Sequence, residues 1–174
     1  MKRPFTTTAV VALAAAAIAS SAFAGAAKKV TYTANFKGNA VTKVSGNTVT
    51  YASNGSGLQQ AVGKGLVGSK AAKLVAGGTA DKTGAADSGC APFKGPATIK
   101  SAAGTLKATV LPTSRGCAAS ADDQDNITLQ GTVKVTNGTG KFKGAKGTLR
   151  FSGHFNNGTG AFTVKVFKGV LTTA

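Results

Sequence analysis

Apolar and polar residues alternate with a period of two along most of the chain beyond its first 24 residues. Such alternation is typical of strands that bury one face and expose the other. No long stretch in this part repeats apolar residues at helical spacing, and glutamate is absent, so helix is disfavoured. The apolar members of the alternating runs are Val30, Tyr32, Ala34, Phe36; Val49, Tyr51; Leu106, Ala108, Val110; Leu129, Gly131, Val133, Val135; Leu149, Phe151, Gly153, Phe155; Phe162, Val164 and Val166.

A turn signature with the sequence Asn-Gly-Thr-Gly-x-Phe appears twice, at residues 137–142 and 157–162. Asn-Gly between alternating apolar runs predicts a tight hairpin turn, because both residues tolerate the positive φ that such a turn requires. We also expect a turn at residues 45–47, a strand end at Pro112, and a bulge near residues 167–169 that restores the core phase. The C-terminal half is therefore predicted to be a β-meander.

The middle of the chain is rich in glycine and gives a weaker pattern. Residues 58–76 predict one or two glycine-rich strands, and residues 77–97 are expected to form a long irregular connection. With the clearer runs, this predicts roughly seven to nine short strands, which favours an antiparallel barrel or sandwich. Closure into a barrel also hides strand edges. We therefore predict an all-β fold, a single antiparallel β-barrel of about eight strands, for residues 25–174.

The first 24 residues are predicted to be a signal peptide. Lys2 and Arg3 precede an uncharged apolar run at residues 9–19, and Ala22-Phe23-Ala24 supplies the small residues that a signal peptidase reads. The apolar run is shorter than the ~20 residues that a membrane-spanning helix needs. We expect cleavage after Ala24 and a secreted, extracellular protein, or a periplasmic one in a host with an outer membrane.

The chain is strongly basic, with 21 Lys and Arg against 5 acidic residues and a formal net charge of +16, of which Lys2 and Arg3 supply two. A basic sheet face predicts salt-sensitive binding to an anionic polymer or a membrane surface. The alternative is that the lysines keep the protein soluble and discourage edge pairing. Most aromatic residues share the apolar phase, so no sequence-specific nucleic-acid binding is expected. The candidate polymer contacts are Lys134, Lys141, Lys143, Lys146, Arg150 and Lys165, and the acidic residues are Asp81, Asp87, Asp122, Asp123 and Asp125.

Two cysteines, Cys90 and Cys117, are expected to form a disulfide, since an exported protein meets an oxidising compartment. A zinc site is not expected, because His154 is the only histidine and cannot complete a tetrad with two cysteines. His154 follows the polar phase of its strand and is interpreted as exposed and structural.

Chemistry-bearing motifs are sparse. No nucleophile, base and orienting acid are brought together by the sequence, so we expect no enzymatic activity and no cofactor. Asp122, Asp123 and Asp125 form a weak calcium candidate that lacks the glycine and terminal glutamate of an EF-hand loop, and an Asp-rich turn is the favoured interpretation. No other metal site is predicted.

The segment Gly-Thr-Gly-Lys-Phe-Lys-Gly-Ala-Lys-Gly at residues 138–147 resembles the GGTGxFxGAxG segment of dirigent-like and allene oxide cyclase-like proteins. The resemblance covers roughly residues 126–171 and is nearest to small secreted bacterial domains of that type without assigned activity. It implies an eight-stranded antiparallel barrel. Dirigent-type proteins guide a reactive intermediate inside the barrel, and the candidate interior lining here is Phe36, Phe151, Phe155 and Phe162.

Three functional hypotheses follow. The first is a non-catalytic secreted barrel that associates with an anionic envelope or extracellular polymer. The second is a barrel that holds a small apolar ligand or guides a reaction as dirigent-like proteins do. The third is an interaction or inhibitor domain that uses the disulfide-pinned loops around residues 80–125. No protein partner can be named from the sequence.

Overall fold

The computed structural model describes residues 27–63, 65–66, 68–83, 85 and 89–174, so the predicted signal peptide at residues 1–24 lies outside the described residues. Eight strands form a closed barrel in which each strand pairs antiparallel with the next and the last pairs with the first, which confirms the predicted fold. The strands are β1 Lys28–Ser45, β2 Thr48–Val62, β3 Ser69–Asp81, β4 Cys90–Ser101, β5 Gly104–Ala118, β6 Asn126–Gly138, β7 Lys146–Asn156 and β8 Ala161–Thr173.

The predicted apolar phase faces the barrel interior. Val30, Tyr32 and Leu106 are at most 1% exposed, and Leu149 is 2% exposed. The predicted bulge in β8 is confirmed, because the β1–β8 register shifts opposite Thr33, where residues 167 and 168 face one position of β1. The shift returns the following part of β8 to the core phase.

The irregular connection predicted for the middle of the chain is wrong. Residues 77–81 belong to β3 and residues 90–97 to β4, so the irregular connection expected there is wrong over both ranges. The reason is close packing of backbones: a Cβ on Gly78 would collide with the carbonyl of Lys94 in the neighbouring strand. In a sequence, glycine is usually interpreted as a sign of a loop, but here it allows two strands to approach closely.

Pro112 does not end its strand as predicted. β5 continues to Ala118, and the β5–β6 register shifts between Val110 and Arg115. This irregularity accommodates a residue that has no backbone N–H to donate to the ladder.

The two copies of the turn signature form different structures. In both, the second glycine has a positive φ, Gly140 (58°) and Gly160 (75°), whereas the first glycine does not, so the prediction that both residues of the Asn-Gly pair supply it is wrong. The first copy runs from the end of β6 into a short 3₁₀ helix, Gly140–Phe142. The second copy is a four-residue turn between β7 and β8, closed where the Gly160 amide donates to the carbonyl of Asn156 at 2.8 Å.

The barrel has two distinct ends. The plugged end carries the β2–β3, β4–β5 and β6–β7 connections, and the side chain of Phe142, 0% exposed, fills it from the 3₁₀ helix. The disulfide end carries the β1–β2, β3–β4, β5–β6 and β7–β8 connections. There the predicted bond is confirmed: Cys90 and Cys117 face each other on β4 and β5 and are joined by a disulfide.

Candidate functional site

A shallow groove of about 790 Å³ crosses the outside of the barrel over β2, β1, β8, β7 and β6. We call it the outer groove. It is built from two parallel rows of outward side chains, each row taking one residue from each strand through the registers of the sheet. The rows are Leu58, Asn35, Lys165, Ser152 and Gln130, and beside it Ser56, Lys37, Thr163, His154 and Thr128.

The outer groove is polar and basic. The side chains of its two rows are amides, hydroxyls, the imidazole of His154 and the ammonium groups of Lys37 and Lys165, with one leucine at the edge, and Phe36 and Val164 border the groove from between the rows. Apart from a cation–π contact of Lys165 with Phe167 at 5.9 Å, these side chains make no side-chain interaction with another described residue. Their donors therefore face solvent and are free for a ligand. His154 is exposed, as the sequence predicted.

The floor of the outer groove is backbone, because the residues between the two rows point inward. Two of these inward positions are glycines, Gly57 and Gly153. A Cβ on Gly57 would collide with the carbonyl of Asn35, and one on Gly153 would collide with the carbonyl of Thr163. The glycines thus let β2 approach β1, and β7 approach β8, beneath the groove.

Of the six predicted basic contacts, one lies in the outer groove and three continue its surface toward the plugged end. Lys165 lies in the outer groove, and Arg150 lies one outward position along β7 from Ser152. Lys134 pairs with Thr148, the next outward residue of β7, and Lys146 begins that strand. All four basic side chains are exposed, so they form a basic track along the outer faces of β6, β7 and β8.

The other two predicted contacts, Lys141 and Lys143, lie in the β6–β7 connection at the plugged end. The Lys141 ammonium donates a hydrogen bond to the carbonyl of Gly65 at 3.0 Å. Lys141 therefore ties this connection to the β2–β3 connection, which gives it a structural role that the sequence did not reveal.

Charge is distributed unequally along the barrel axis. Of the described acidic residues, Asp81 closes β3 and Asp122, Asp123 and Asp125 lie between β5 and β6, all at the disulfide end. Strands β1, β2, β4, β5, β6, β7 and β8 contain no acidic residue. The plugged end carries the exposed residues Lys28, Lys29, Lys70, Lys100, Lys107, Lys134, Lys141, Lys143, Lys146 and Lys168.

The aspartate cluster organises loops. The Asp123 carboxylate accepts hydrogen bonds from the Asn126 side-chain amide at 2.9 and 3.0 Å and from its backbone N–H at 3.2 Å, and these bonds lower the pKa of Asp123. Asn156 donates in turn to Asn126 at 3.0 Å, which connects the loop to the β7–β8 turn. Within the described residues, no group of three or more His, Cys, Asp or Glu side chains is arranged to hold a metal ion.

A second concavity, of about 630 Å³, lies at the disulfide end across β2 to β5. Asp81, Lys94 and Arg115 line it together with threonine and proline side chains. Asp81 accepts a hydrogen bond from the backbone N–H of Thr83 at 2.8 Å, which lowers the pKa of Asp81. This surface belongs to the loops that the sequence nominated for an interaction site.

The barrel interior is filled by side chains. Phe36, Phe151 and Phe162 are 3%, 7% and 6% exposed, and Phe155 is partly buried against the same core. The rings of Phe93 and Phe151 meet at 6.1 Å between centroids, at an interplanar angle of 64°. The phenylalanines nominated as interior lining therefore pack against core neighbours.

One polar chain crosses this interior. Tyr32 donates to the side-chain oxygen of Gln59 at 3.0 Å, and Gln59 donates to Ser101 at 2.6 Å. Burial raises the pKa of Tyr32, and burial also raises the pKa of Tyr51 to about 12. Both phenols are therefore neutral over the physiological pH range.

Sequence reasoning missed Lys37 and the uncharged polar residues of the outer groove. Asn35, Gln130 and Ser152 are ordinary polar-phase residues in three different strands, and only the strand registers bring them together. The signal was their shared outward phase. That phase does not show which strands are neighbours.

Comparisons with known protein families, with curated proteins and with solved structures find no match to this chain. No helix in the part of the chain that the structure describes is long and apolar enough to cross a membrane.

Proposed function

We propose that the protein binds an extended anionic polymer along the outer groove and the adjoining basic track, without catalysing a reaction on it. The observation that carries this proposal is the pair of polar rows across five strands, which includes Lys37 and Lys165 and no acidic side chain. The proposed ligand is a polymer that repeats phosphate or carboxylate groups along its length. We further propose that binding takes place outside the cytoplasm, since the disulfide is consistent with an oxidising compartment.

The two kinds of groove residue have different parts in binding. Lys37 and Lys165 attract the charged groups of the polymer, a contribution that falls as salt concentration rises. Asn35, Gln130 and Ser152 offer hydrogen bonds to oxygens of the same chain, and these hold a ligand at short range. No outward side chain stands between the two rows, which lets a chain without bulky branches lie flat. Arg150 and Lys134 extend the contact for a longer ligand.

The two alternative functions have weaker support. An apolar ligand inside a dirigent-like barrel needs interior space, whereas Phe36, Phe151 and Phe162 occupy the core. An interaction through the disulfide-pinned loops is supported by the concavity beside Asp81 and Arg115. That concavity combines opposite charges and offers no single ligand chemistry, so it remains the second candidate.

The proposal is tested by titrating fluorescently labelled inorganic polyphosphate with the protein and following fluorescence anisotropy at several salt concentrations. In the groove variant, Lys37→Gln with Lys165→Gln, we expect affinity to fall roughly tenfold or more, because charge-assisted contacts are lost. The slope of log affinity against log salt should become shallower by a little under two, roughly one unit for each lost contact. A second variant, Asn35→Ala with Gln130→Ala, should weaken binding and leave that slope unchanged.

The matched control removes two positive charges at the disulfide end of the barrel. Lys43→Gln with Lys82→Gln changes two exposed lysines near the acidic loops and should have a much smaller effect than the groove variant. Equal losses in the two variants would mean that net charge alone governs binding. Affinity that is unchanged by salt would also refute the proposal.

A further inference from the structure

A small apolar surface lies on the outside of the barrel near the plugged end. Val170, Thr31 and Val62 form one row across β8, β1 and β2, because Thr31 pairs with both valines. Phe167 lies in the β8 bulge beside this row. Val62 is 47% exposed, Phe167 42% and Val170 52%. We call these three apolar residues with Thr31 the outer patch.

Positive charge surrounds the outer patch. Lys29 lies one outward position from Thr31 on β1, and Lys168 follows Phe167 in the bulge. Lys146 pairs with Thr172, the outward residue next to Val170 in β8. None of β1, β2, β7 and β8 contains an acidic residue, so no negative side chain of these strands offsets the lysines.

We propose that the outer patch docks the plugged end of the barrel onto an anionic lipid bilayer. The outer patch matches such a bilayer in polarity and in charge. Its phenylalanine and valines can enter the headgroup region, and the ammonium groups of the surrounding lysines can contact lipid phosphates. A second copy of the chain fits less well, since it would bring two sets of lysines together. A neutral apolar partner would leave those lysines without counter-charge.

The charge distribution of the whole barrel orients the docked protein. The described acidic residues are all at the disulfide end, and the plugged end carries the lysine cluster. An anionic surface therefore attracts the plugged end more strongly than the disulfide end, where the aspartates offset the nearby basic side chains. In the docked state the disulfide and the aspartate loops point away from the membrane, and much of the outer groove stays open to solvent.

The experiment measures partition of residues 25–174, which contain the complete closed barrel, into phosphatidylcholine vesicles with and without roughly one third phosphatidylglycerol. The shorter chain is used because the apolar run at residues 9–19 would bind lipid by itself. We expect binding to the anionic vesicles only. In the patch variant, Phe167→Ser with Val170→Thr, the partition constant should fall at least about fivefold.

The control variant is Val41→Thr with Val44→Thr, which changes two exposed valines of β1 toward the disulfide end, 74% and 58% exposed. It should bind anionic vesicles as the unaltered protein does. Lys29→Gln with Lys168→Gln should weaken binding about fivefold for each lysine removed. Circular dichroism and urea unfolding check that each variant is folded.

A tryptophan reporter gives a second measurement, since the chain contains no tryptophan. With Phe167→Trp, we expect the emission maximum to shift to shorter wavelength on anionic vesicles. With Val41→Trp, we expect no shift.

Three outcomes would overturn the inference: equal partition of the patch and control variants, no shift for Phe167→Trp, or a stable dimer in solution that the patch variant dissociates. The groove proposal is tested independently with Val170→Thr alone, which retains Lys37, Lys165 and the Phe167 ring that Lys165 contacts and is expected to bind soluble polyphosphate normally.

Discussion

The ring of Phe142 meets the ring of Tyr32 edge to face, with 6.2 Å between centroids and an interplanar angle of 78°. Tyr32 belongs to β1 and Phe142 to the 3₁₀ helix after β6, so this pair joins the first turn signature to the opposite part of the sequence. Both side chains are 0% exposed. The signature therefore does more than reverse the chain, because its phenylalanine closes one end of the barrel.

The first prediction concerns this plug. Phe142→Ala should lower the free energy of unfolding by roughly 3 to 5 kcal/mol, because it removes a buried aromatic ring and leaves a cavity. The measurement is urea unfolding. Phe167→Ala, at a position that is 42% exposed, is the matched control and should cost less than about 1 kcal/mol. Similar losses at the two positions would show that Phe142 does not seal the core.

The second prediction separates the two glycines of the β7–β8 turn. Gly160→Ala should destabilise the protein by about 2 kcal/mol or more, since alanine resists a positive φ and its Cβ would lie 2.6 Å from the carbonyl oxygen of Ala40. Gly158 has no such φ, and a Cβ there would meet Asp125 at 3.3 Å. Gly158→Ala should therefore change stability by less than about 0.5 kcal/mol. Thermal unfolding of both variants gives the comparison, and a reversed order would contradict the assigned turn.

The turn signatures show how far the sequence predicts this fold. Alternation correctly places Tyr32, Leu106 and Leu149 in the core, because a strand with one buried face must alternate. The same reasoning misjudged Gly78, since sequence does not show whether glycine ends a strand or lets two strands approach. It also missed Phe142 as a plug, because that side chain lies outside any strand phase.

The candidate site was less predictable than the fold. Arg150 and Lys165 could be nominated from charge and phase alone. Lys37, Asn35 and Gln130 could not, since a groove across strands depends on register, and register follows from turns, bulges and close backbone contacts that the alternation of one strand does not show. The described acids lie at two connections, with Asp81 the last residue of β3 and Asp122, Asp123 and Asp125 between β5 and β6. Only the antiparallel topology shows that those connections share one end of the barrel.

The third prediction concerns alkaline pH. Burial raises the pKa of Tyr32 in the folded state above its unfolded value near 10, so the folded protein retains a proton that the unfolded chain releases. The stabilisation that the Tyr32 phenol contributes is fully present below about pH 10 and is lost as pH rises above that value. Urea midpoints measured from about pH 8 to 11 should therefore fall. Tyr51, whose pKa is raised to about 12, contributes in the same direction.

Tyr32→Phe is the test of that assignment. The variant should be less stable at neutral pH by about 1 to 2 kcal/mol, because the buried oxygen of Gln59 loses its donor. Its stability should also fall less steeply at alkaline pH. If the stability of Tyr32→Phe falls with pH as steeply as that of the unaltered protein, Tyr32 is not the cause of the alkaline loss of stability.

The last prediction concerns the disulfide and separates two candidate functions. Cys90 and Cys117 lie 27 residues apart in sequence, and removing their bond by a double change to alanine should lower the free energy of unfolding by roughly 3 to 4 kcal/mol on the chain-entropy account. The barrel should stay closed at moderate temperature, because β4 and β5 keep their ladder beyond the cysteines. Polyphosphate binding in the outer groove should then be nearly unchanged, since Lys37 and Lys165 lie on β1 and β8. If binding is lost while circular dichroism shows an intact barrel, the site is in the disulfide-pinned loops and the groove assignment is wrong.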